Sequence, residues 1–515
     1  MQPDKKVGRV VYAERNIFFG YVGQIATAIL SFYLRRIFIL HLSETLLGIN
    51  SIYTNVLSIL SMAELGIGTA LNYSLYAPLA EGNREKIKGY LDMYRKAYRV
   101  IAIVVAVLGL CFVPFLRYLI KGPEGVSLRE LTIYYLIFLF NTVTTYLVSY
   151  KYSLVNAEQK NYIQTNILTI TKIITVFFQI IVLITIGNFL AYLLTDSAIQ
   201  LIQKIFVSRY LDKKYPIFTE REFVELSGEE KSAVWSKTKA LLLHRIGDVM
   251  RLQTDALVIS SLIQVTVAGF VDNYNMVINA VSNMVNVVFN SVISGFGNLV
   301  AVESKERQKE VFQAYRFFGA WVYGLSATGF LILLTPLIKL WLGEYWTLPS
   351  FVVSLITVDF FFKGDRIINS NFKTAAGVFE EDKYLALIQG VVNLVISVVL
   401  AMKIGLPGVF IGTVISGLIA NITKPFIIYH TIFKENVISY FADTLRYGLA
   451  TAVSAFLCKG LSRILMPTVT IYSFLMMLLI VTAVFNGIFY MLFRNRAEFA
   501  YLKGIVKRRL KRYNS

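Results

Sequence analysis

Apolar stretches of bilayer length recur along this chain, and their recurrence constrains its fold more than any other feature. About fourteen stretches are long enough to cross the hydrocarbon core as helices, since one span needs roughly 20 apolar residues. The sequence therefore predicts an all-α integral membrane protein with about 14 transmembrane helices. The predicted spans are 16–40, 50–76, 97–119, 131–150, 163–186, 189–211, 239–263, 267–297, 314–338, 350–371, 384–403, 408–430, 445–465 and 470–493.

Composition supports the same class of protein. Charged residues make up only 16% of the 515 residues, and hydrophobic residues make up 56%. A soluble chain carries about 25% charged residues. The net charge of +19 would indicate nucleic acid in a soluble protein, but cytoplasmic loops of membrane proteins also collect Lys and Arg. We therefore expect the lipid bilayer as a partner and no nucleic acid.

The distribution of basic residues predicts the orientation. With a cytoplasmic N-terminus, the loops on the inner side hold most of the 51 lysines and arginines. An even number of spans returns the C-terminus to the same side. The basic tail KGIVKRRLKRYNS then lies against anionic lipid head groups.

A long polar stretch divides the chain after the sixth predicted span. Because six spans precede it and eight follow, we predict two six-helix lobes and a C-terminal helix pair. The predicted parts are an N-lobe at 1–211, a cytoplasmic linker at 212–238, a C-lobe at 239–430, and the last two spans with the tail at 431–515.

Ionisable residues inside the spans of the first lobe form the first part of a predicted polar cavity. Arg35 continues a polar stripe with Gln24, Thr27 and Ser31 on one face of the first span, whereas Arg36 points elsewhere. Glu64 belongs to a similar stripe in the second span. Lys172 is isolated in the fifth span, as is Asp196 in the sixth.

The second lobe carries denser polar faces. In the seventh span, Asp248 is spaced to reach Arg245, and Asp255 is spaced to reach Arg251. The eighth span carries a ladder of polar residues on one face, which comprises Asp272, Asn275, Asn279, Asn283, Asn286 and Asn290. The tenth span places Lys363 and Arg366 on one face with Asp359, while Asp365 points away.

Structural roles remain open beside the cavity hypothesis. Asparagine ladders also join helices through interhelical hydrogen bonds, and paired charges also form structural ion pairs. Basic residues near a span end, such as Arg245, also extend their charged heads toward the interface.

The chemistry of these residues favours anion binding. Arg offers paired donors to phosphate oxygens, and the predicted cavity holds more bases than acids. The sequence contains no GxxxxGK[ST] motif, and its two cysteines and three histidines are scattered, so we expect no ATPase module, no metal site and no cofactor. The outer loops are short for an enzyme that handles a glycan, so we expect a transporter and no enzymatic activity.

Two segments resemble a known family. The segment GINSIYTNVLSILSMAELGIGTA at 48–70, followed by SLYAPLA at 74–80, resembles the second-span region of bacterial flippases for polysaccharide repeat units. These flippases belong to the multidrug/oligosaccharidyl-lipid/polysaccharide (MOP) exporter superfamily. The segment TDALVISSLIQVTVAGFVDNYNMVINAV at 254–281 is similar to their seventh and eighth spans.

The resemblance implies a function. Such proteins move undecaprenyl-diphosphate-linked oligosaccharides from the inner to the outer leaflet of the bacterial cytoplasmic membrane by alternating access, for surface polysaccharide export. It implies a multi-pass protein that acts as a monomer, in some cases beside glycan assembly enzymes. By this resemblance Arg35, Arg36, Arg245 and Arg251 line the cavity, and Asp255, with Asp248 beside it, binds a coupling Na⁺ or H⁺.

The predicted cargo-binding set combines the two lines of reasoning. It comprises Arg35, Arg36, Glu64, Lys172, Arg245, Arg251, Asn275, Asn279, Asn283, Lys363 and Arg366. Two other functions remain open: a cation-coupled multidrug exporter of the same superfamily, and a membrane glycan polymerase or ligase.

Overall fold

The predicted all-helical class is confirmed. The computed structural model describes the chain in nine ranges, and every regular element within them is helical. The described residues are 7–61, 64, 67–220, 222–232, 234–236, 238, 253–290, 293–378 and 381–513.

The chain forms two compact units, Met1–Gly269 and Phe270–Ser515. The predicted boundaries at 211, 238 and 430 stay predictions. Helices that lie in the first unit are α1 (Val7–His41), α2 (Glu44–Leu60), α3 (Ile67–Glu81), α4 (Arg84–Phe112), α5 (Leu128–Ala157), α6 (Asn161–Thr185), α7 (Phe189–Lys214) and α8 (Gln253–Ile263).

Helix α9 (Val265–Asn290) begins in the first unit and continues into the second. The remaining helices are α10 (Ile293–Val302), α11 (Lys305–Leu342), α12 (Ser350–Ala375), α13 (Leu385–Ile404), α14 (Leu406–Ile427), α15 (Ile438–Leu465), α16 (Ile471–Phe493) and α17 (Ala497–Tyr513).

Ten helices of the described chain are long and apolar enough to cross a membrane. Between 17% and 50% of their most apolar windows is buried inside the protein, so large apolar faces lie at the surface. On α6 the exposed side chains include Ile173, Phe177 and Ile184. An apolar surface this extensive needs lipid around it. The chain is a multi-pass membrane protein.

Four of the fourteen predicted spans are not among these ten helices. The predicted second span corresponds to α2 and α3, and the predicted seventh overlaps α8; both are described only in part. Helices α9 and α12 have bilayer length, but asparagines lower the hydropathy of α9 and five charges interrupt α12. A count of fourteen spans therefore stays a prediction.

Local sequence explains how several helices begin and pack. Ser127 and Glu130 form a reciprocal capping box at the start of α5, which satisfies free backbone N–H groups there. Gly48 lets α2 approach α9 closely, since a Cβ atom at this position would collide with the Val265 carbonyl.

Aromatic packing builds the core of the second unit. Phe317 of α11 lies in a cluster with Tyr447 of α15 and with Phe485, Phe489 and Phe493 of α16. Phe499 of α17 adds to this cluster by stacking on Trp321, with ring centroids 5.9 Å apart. The last two predicted spans and the tail helix are therefore packed on α11.

Candidate functional site

Four ionisable side chains come together in the first unit, within the membrane-spanning helices α1, α6 and α7. Asp196 of α7 interacts electrostatically with Lys172 of α6 and with Lys204, which lies two turns further along α7. Arg35 of α1 interacts in turn with Lys172. We name these four residues the basic cluster. Three of these four residues are cations and one is a carboxylate.

Lys204 is the most buried base of the cluster, with 7% of its surface exposed. Its Nζ donates hydrogen bonds to the Asn141 carbonyl oxygen at 2.8 Å and to the Thr144 hydroxyl at 2.9 Å, both on α5. Both acceptors are neutral. Asp196 is its electrostatic neighbour, but the carboxylate is shared with Lys172.

The α7 sequence explains this placement. Polar residues recur there every four positions, at Asp196, Gln200, Lys204, Ser208 and Asp212, so each lies only about 40° further round the helix than the one before it. The Gln200 amide donates to Asp196 Oδ2 at 2.7 Å. Lys204, Ser208 and Asp212 of this stripe contact α5, so backbone and side-chain oxygens of α5 accept from Lys204.

Sequence reasoning identified this site only in part. Arg35 and Lys172 were predicted to bind cargo, and the structure brings them together. Lys204 was missed, and Asp196 was treated as isolated. The four-residue spacing along α7 was the signal that would have found both.

The other two predicted residues of the first lobe lie elsewhere. Arg36 is exposed, next to Arg35 but on another side of α1. Glu64 accepts a hydrogen bond from the Tyr98 hydroxyl and lies near the Tyr146 hydroxyl. It is not part of the basic cluster.

The asparagine ladder divides into two parts in the structure. Asn275, Asn279 and Asn283 are exposed on one face of α9. Asn286 accepts a hydrogen bond from Tyr323, and the amide of Asn371 donates to Asn290 at 3.3 Å. Asn286 and Asn290 thus join helices through hydrogen bonds, as the structural alternative predicted. The other three asparagines present exposed amide groups at the surface. Lipid cannot satisfy such a face, so it requires water or a polar ligand.

Arg366 of α12 lies in a buried ion pair. Its Nη2 is 2.7 Å from Asp359 Oδ1, and its Nη1 donates to the Asn421 side chain at 3.1 Å. Only 5% of its surface is exposed. Lys363 lies on the same helix and is half-buried. A cargo-binding role for these two residues stays a prediction.

A second buried network lies around Asp365, which the sequence had placed off the polar face. Asp365 Oδ2 accepts from the Tyr440 hydroxyl at 2.6 Å, and its Oδ1 is 3.6 Å from Arg316 Nε. Arg316 also stacks over the Tyr440 ring and donates to the Thr444 hydroxyl at 2.6 Å. A small cavity of α11, α12 and α15 opens beside Asp365.

The remaining predicted residues belong to the seventh span. Arg245, Asp248 and Arg251 lie outside the described residues. Asp255 is described and half-buried in α8. Its predicted role in binding a coupling ion stays a prediction.

The basic cluster is therefore the arrangement with the clearest chemistry. Fixed ammonium and guanidinium groups in an apolar surrounding attract anions more strongly than they would in water. Two lysines and one arginine offer donors for several oxygens of a phosphate or diphosphate.

Comparison with known proteins shows the fold. No family model and no curated protein sequence matches this chain. The structure of the lipid II flippase MurJ in an inward closed conformation has a TM-score of 0.68, with 15% sequence identity, and the match covers 93% of this chain and 99% of that chain.

Two structures of a multidrug resistance MATE family transporter of the MOP superfamily are also similar. The inward-facing conformation has a TM-score of 0.58 at 13% identity and covers 78% of this chain and 96% of that chain. The outward-facing conformation has a TM-score of 0.52 at 13% identity, covering 80% and 94%. The predicted resemblance is confirmed at the level of fold: this chain has the fold of MOP superfamily transporters.

Proposed function

We propose that this protein is a secondary transporter that flips undecaprenyl-diphosphate-linked oligosaccharides from the inner to the outer leaflet of a bacterial cytoplasmic membrane, by alternating access. The observation that carries the proposal is the basic cluster in the first unit. Three of its four members are cations, and they lie within helices α1, α6 and α7, which are apolar enough to cross a membrane and in which charge is costly. An anionic ligand would offset that cost.

The amphipathic nature of the proposed cargo fits its surroundings. A polyprenyl tail stays in the acyl chains, while the diphosphate and sugars need a polar path across the membrane. The basic cluster of the first unit supplies donors for the diphosphate.

The test compares two adjacent arginines. We expect Arg35→Gln to lower surface polysaccharide roughly tenfold or more, because a lost charge-assisted hydrogen bond to phosphate costs about 1.5–3 kcal/mol. Arg36→Gln is the matched control and should have little effect, since Arg36 is exposed and lies about 100° round the helix from Arg35. Surface polysaccharide and protein level are measured in a strain that lacks the chromosomal copy.

Normal export by both Arg35→Gln and Lys172→Gln, at normal protein level, would contradict the proposal. An equal loss of surface polysaccharide in Arg35→Gln and Arg36→Gln would show that the binding site lies elsewhere on α1.

A multidrug exporter is the second candidate, because the fold is shared with MATE transporters. Most drugs of that kind are cations, and three bases around one acid would repel them. A deletion strain that became drug-sensitive and kept its surface coat would favour this candidate over ours.

We infer transport and not glycan polymerisation or ligation. On the side predicted to be outer, the connections at 120–127, 343–349 and 466–470 are short, which leaves little room for an acceptor-binding domain. Elongation of lipid-linked sugar by the purified protein would contradict the inference of transport.

We further propose that Asp255 holds the coupling Na⁺ or H⁺, and that both termini lie in the cytoplasm.

A further inference from the structure

Two connections of the first unit meet on the side that is predicted to be outer. The backbone N–H of Lys121 donates to the Ser260 carbonyl at 3.0 Å, and the Lys121 carbonyl accepts from the N–H of Val265 at 3.1 Å. The Lys121 ammonium donates to the Leu262 carbonyl at 3.0 Å. One residue therefore makes three hydrogen bonds to the connection between α8 and α9. We call residues 120–122 together with residues 259–265 the outer contact.

The break between α8 and α9 explains why these main-chain groups bind another segment. The last turn of α8, Ile259–Ile263, is a π-helix, and Gln264 is extended, so α8 does not continue directly into α9. The Ser260 carbonyl and the Val265 N–H lie on the two sides of this break, and Lys121 binds both. Single turns of π-helix are frequently found at functional sites.

Two glycines let α2 and α9 approach each other beside this contact. A Cβ atom on Gly48 of α2 would lie 2.0 Å from the Val265 carbonyl oxygen, and a Cβ atom on Gly269 of α9 would lie 3.0 Å from the Gly48 backbone nitrogen. The two helices therefore meet backbone to backbone at these positions. Because no side chains interlock there, the helices can move apart without a change of rotamer at either glycine.

The outer contact has a buried apolar part and an exposed polar part. Ile120 is 2% exposed and Val265 is 0% exposed, whereas Lys121 is exposed. When the contact separates, water replaces the hydrogen bonds of Lys121, so their net contribution to closure is modest. Exposure of the two apolar side chains is unfavourable, so they stabilise the closed contact.

We propose that the outer contact closes the outer side of the transporter, and that it separates each time the pathway opens outward. On separation the α8–α9 connection leaves Lys121, and the start of α9 leaves Gly48. Because α9 continues into the second unit, a movement of that unit acts directly on this connection. This inference rests on the proposed function, since alternating access needs an outer closure that opens and closes.

The first experiment joins the two sides of the contact by a disulfide. A Cβ atom on Gly122 would lie 3.5 Å from Gln264 Cγ, which suits a bridge between Gly122→Cys and Gln264→Cys. Both native cysteines are replaced by alanine, and the full-length protein is reconstituted into proteoliposomes with a short-chain polyprenyl diphosphate monosaccharide. Flipping is measured as exposure of the sugar to external periodate. We expect oxidation of the cysteine pair to lower the flipping rate at least about tenfold, and a thiol reductant to restore it, because a closed outer side cannot release cargo.

A second disulfide is the matched control. A Cβ atom on Gly23 of α1 would lie 3.7 Å from Thr169 Cβ of α6, so Gly23→Cys with Thr169→Cys should also oxidise. This bridge joins two helices that the proposal leaves together, so flipping should persist. The oxidised fraction of each pair is measured from the cysteines that still react with a mass-tagged maleimide.

The second experiment needs no disulfide and leaves Gly122 unchanged, whose φ of +66° is unfavourable for cysteine. In the same protein without native cysteines, Ile120→Cys is buried in the closed contact and should react slowly with a water-soluble maleimide. Gly48→Ala forces α2 and α9 apart and should accelerate this reaction at least about tenfold. Gly20→Ala is the control, because a Cβ atom there has no described neighbour within 4 Å, and it should leave the rate unchanged.

The outcomes distinguish the two proposals. A normal flipping rate in the oxidised Gly122→Cys/Gln264→Cys protein overturns the role of the outer contact and leaves the flippase proposal standing. An equal loss of flipping in the control bridge, or an unchanged maleimide rate in Gly48→Ala, also overturns that role. If the first pair does not oxidise, the maleimide rates alone decide. Failure of the reduced protein to flip the lipid overturns the proposed function, while the maleimide rates still test the contact itself.

Discussion

At the scale of single residues, we expect substitutions in the buried ion pairs of the second unit to have the largest effects on stability. Arg316 is 3% exposed and faces Asp365, so removal of either partner leaves a charge buried without compensation. Breaking such a pair costs about 3–5 kcal/mol, whereas replacing both partners by apolar groups costs far less.

We therefore predict that Arg316→Leu markedly lowers the midpoint of thermal unfolding of the purified protein. Arg316→Leu combined with Asp365→Leu should recover part of the loss, which a double-mutant cycle measures. Arg307→Leu is the control, because the Arg307–Glu310 pair is exposed and such pairs contribute little. Equal effects of Arg316→Leu and Arg307→Leu would show that the buried network is not important for stability.

The same two networks show what sequence can reveal about a residue. Helical spacing gives the angle of a side chain around its own helix, and from it Asp365 is predicted to point away from Lys363. It does not give the neighbouring helix, and Arg316 of α11 lies 49 positions earlier in the chain. Lys172 and Asp196 looked isolated for the same reason, although α6 and α7 pack side by side.

At the scale of elements, the predicted linker at 212–238 is more ordered than its polar composition suggested. Phe218 packs edge-on against Tyr150, and its carbonyl accepts a hydrogen bond from Arg95. Lys96 lies over the Phe223 ring, and Leu226 lies against Gly89 of α4. The apolar residues scattered among its charges were the sequence signal for this docking. We call residues 215–220 and 222–231 the docked segment.

Two carboxylates of the docked segment have lowered pKa values, each for an identifiable reason. The backbone N–H of Ser227 donates to Glu230 at 3.0 Å, and Lys86 of α4 lies 3.2 Å away, so the pKa of Glu230 falls below its ordinary value. The Lys231 ammonium donates a hydrogen bond to Glu225 and lowers the pKa of that carboxyl in the same way. Because these carboxyl pKa values are lower in the docked state than in the undocked state, ionised carboxylates stabilise docking at pH values above the ordinary carboxyl pKa. This stabilisation is lost as the pH falls through the lowered pKa.

We predict that acidification loosens the docked segment. Hydrogen exchange of its amides, corrected for intrinsic rates, should accelerate as pH falls through the acidic range. Glu230→Gln should accelerate it roughly twofold even at neutral pH, since exposed ion pairs contribute little individually. Glu229→Gln, which alters an exposed neighbour, should leave the rate unchanged. No difference between the two variants would contradict a role for Glu230 in docking.

At the scale of the whole molecule, sequence predicted the class of fold well and the binding site incompletely. Hydropathy alone located ten helices, because a span must be apolar over its full length whatever its neighbours are. Helices with a polar face, such as α9 and α12, are not apolar over their full length. Composition alone therefore does not identify them as spans. Their polarity is also what suggests a path for a hydrophilic cargo.

Helix α9 provides a direct test of that path, because it exposes two faces of opposite character. Asn279 and Asn283 lie on the amide face, and the side chain of Met284, about a quarter-turn further round, is 49% exposed on the other. Lipid accepts the second face but not the first. With Cys111 and Cys458 replaced by alanine, we predict that Asn279→Cys and Asn283→Cys react with a water-soluble maleimide in intact membranes. Met284→Cys should react at least about tenfold more slowly, since thiol modification requires the thiolate and hence water. Equal protection of all three cysteines would show that the asparagine face is packed or lipid-covered, and the polar path would then have to avoid α9.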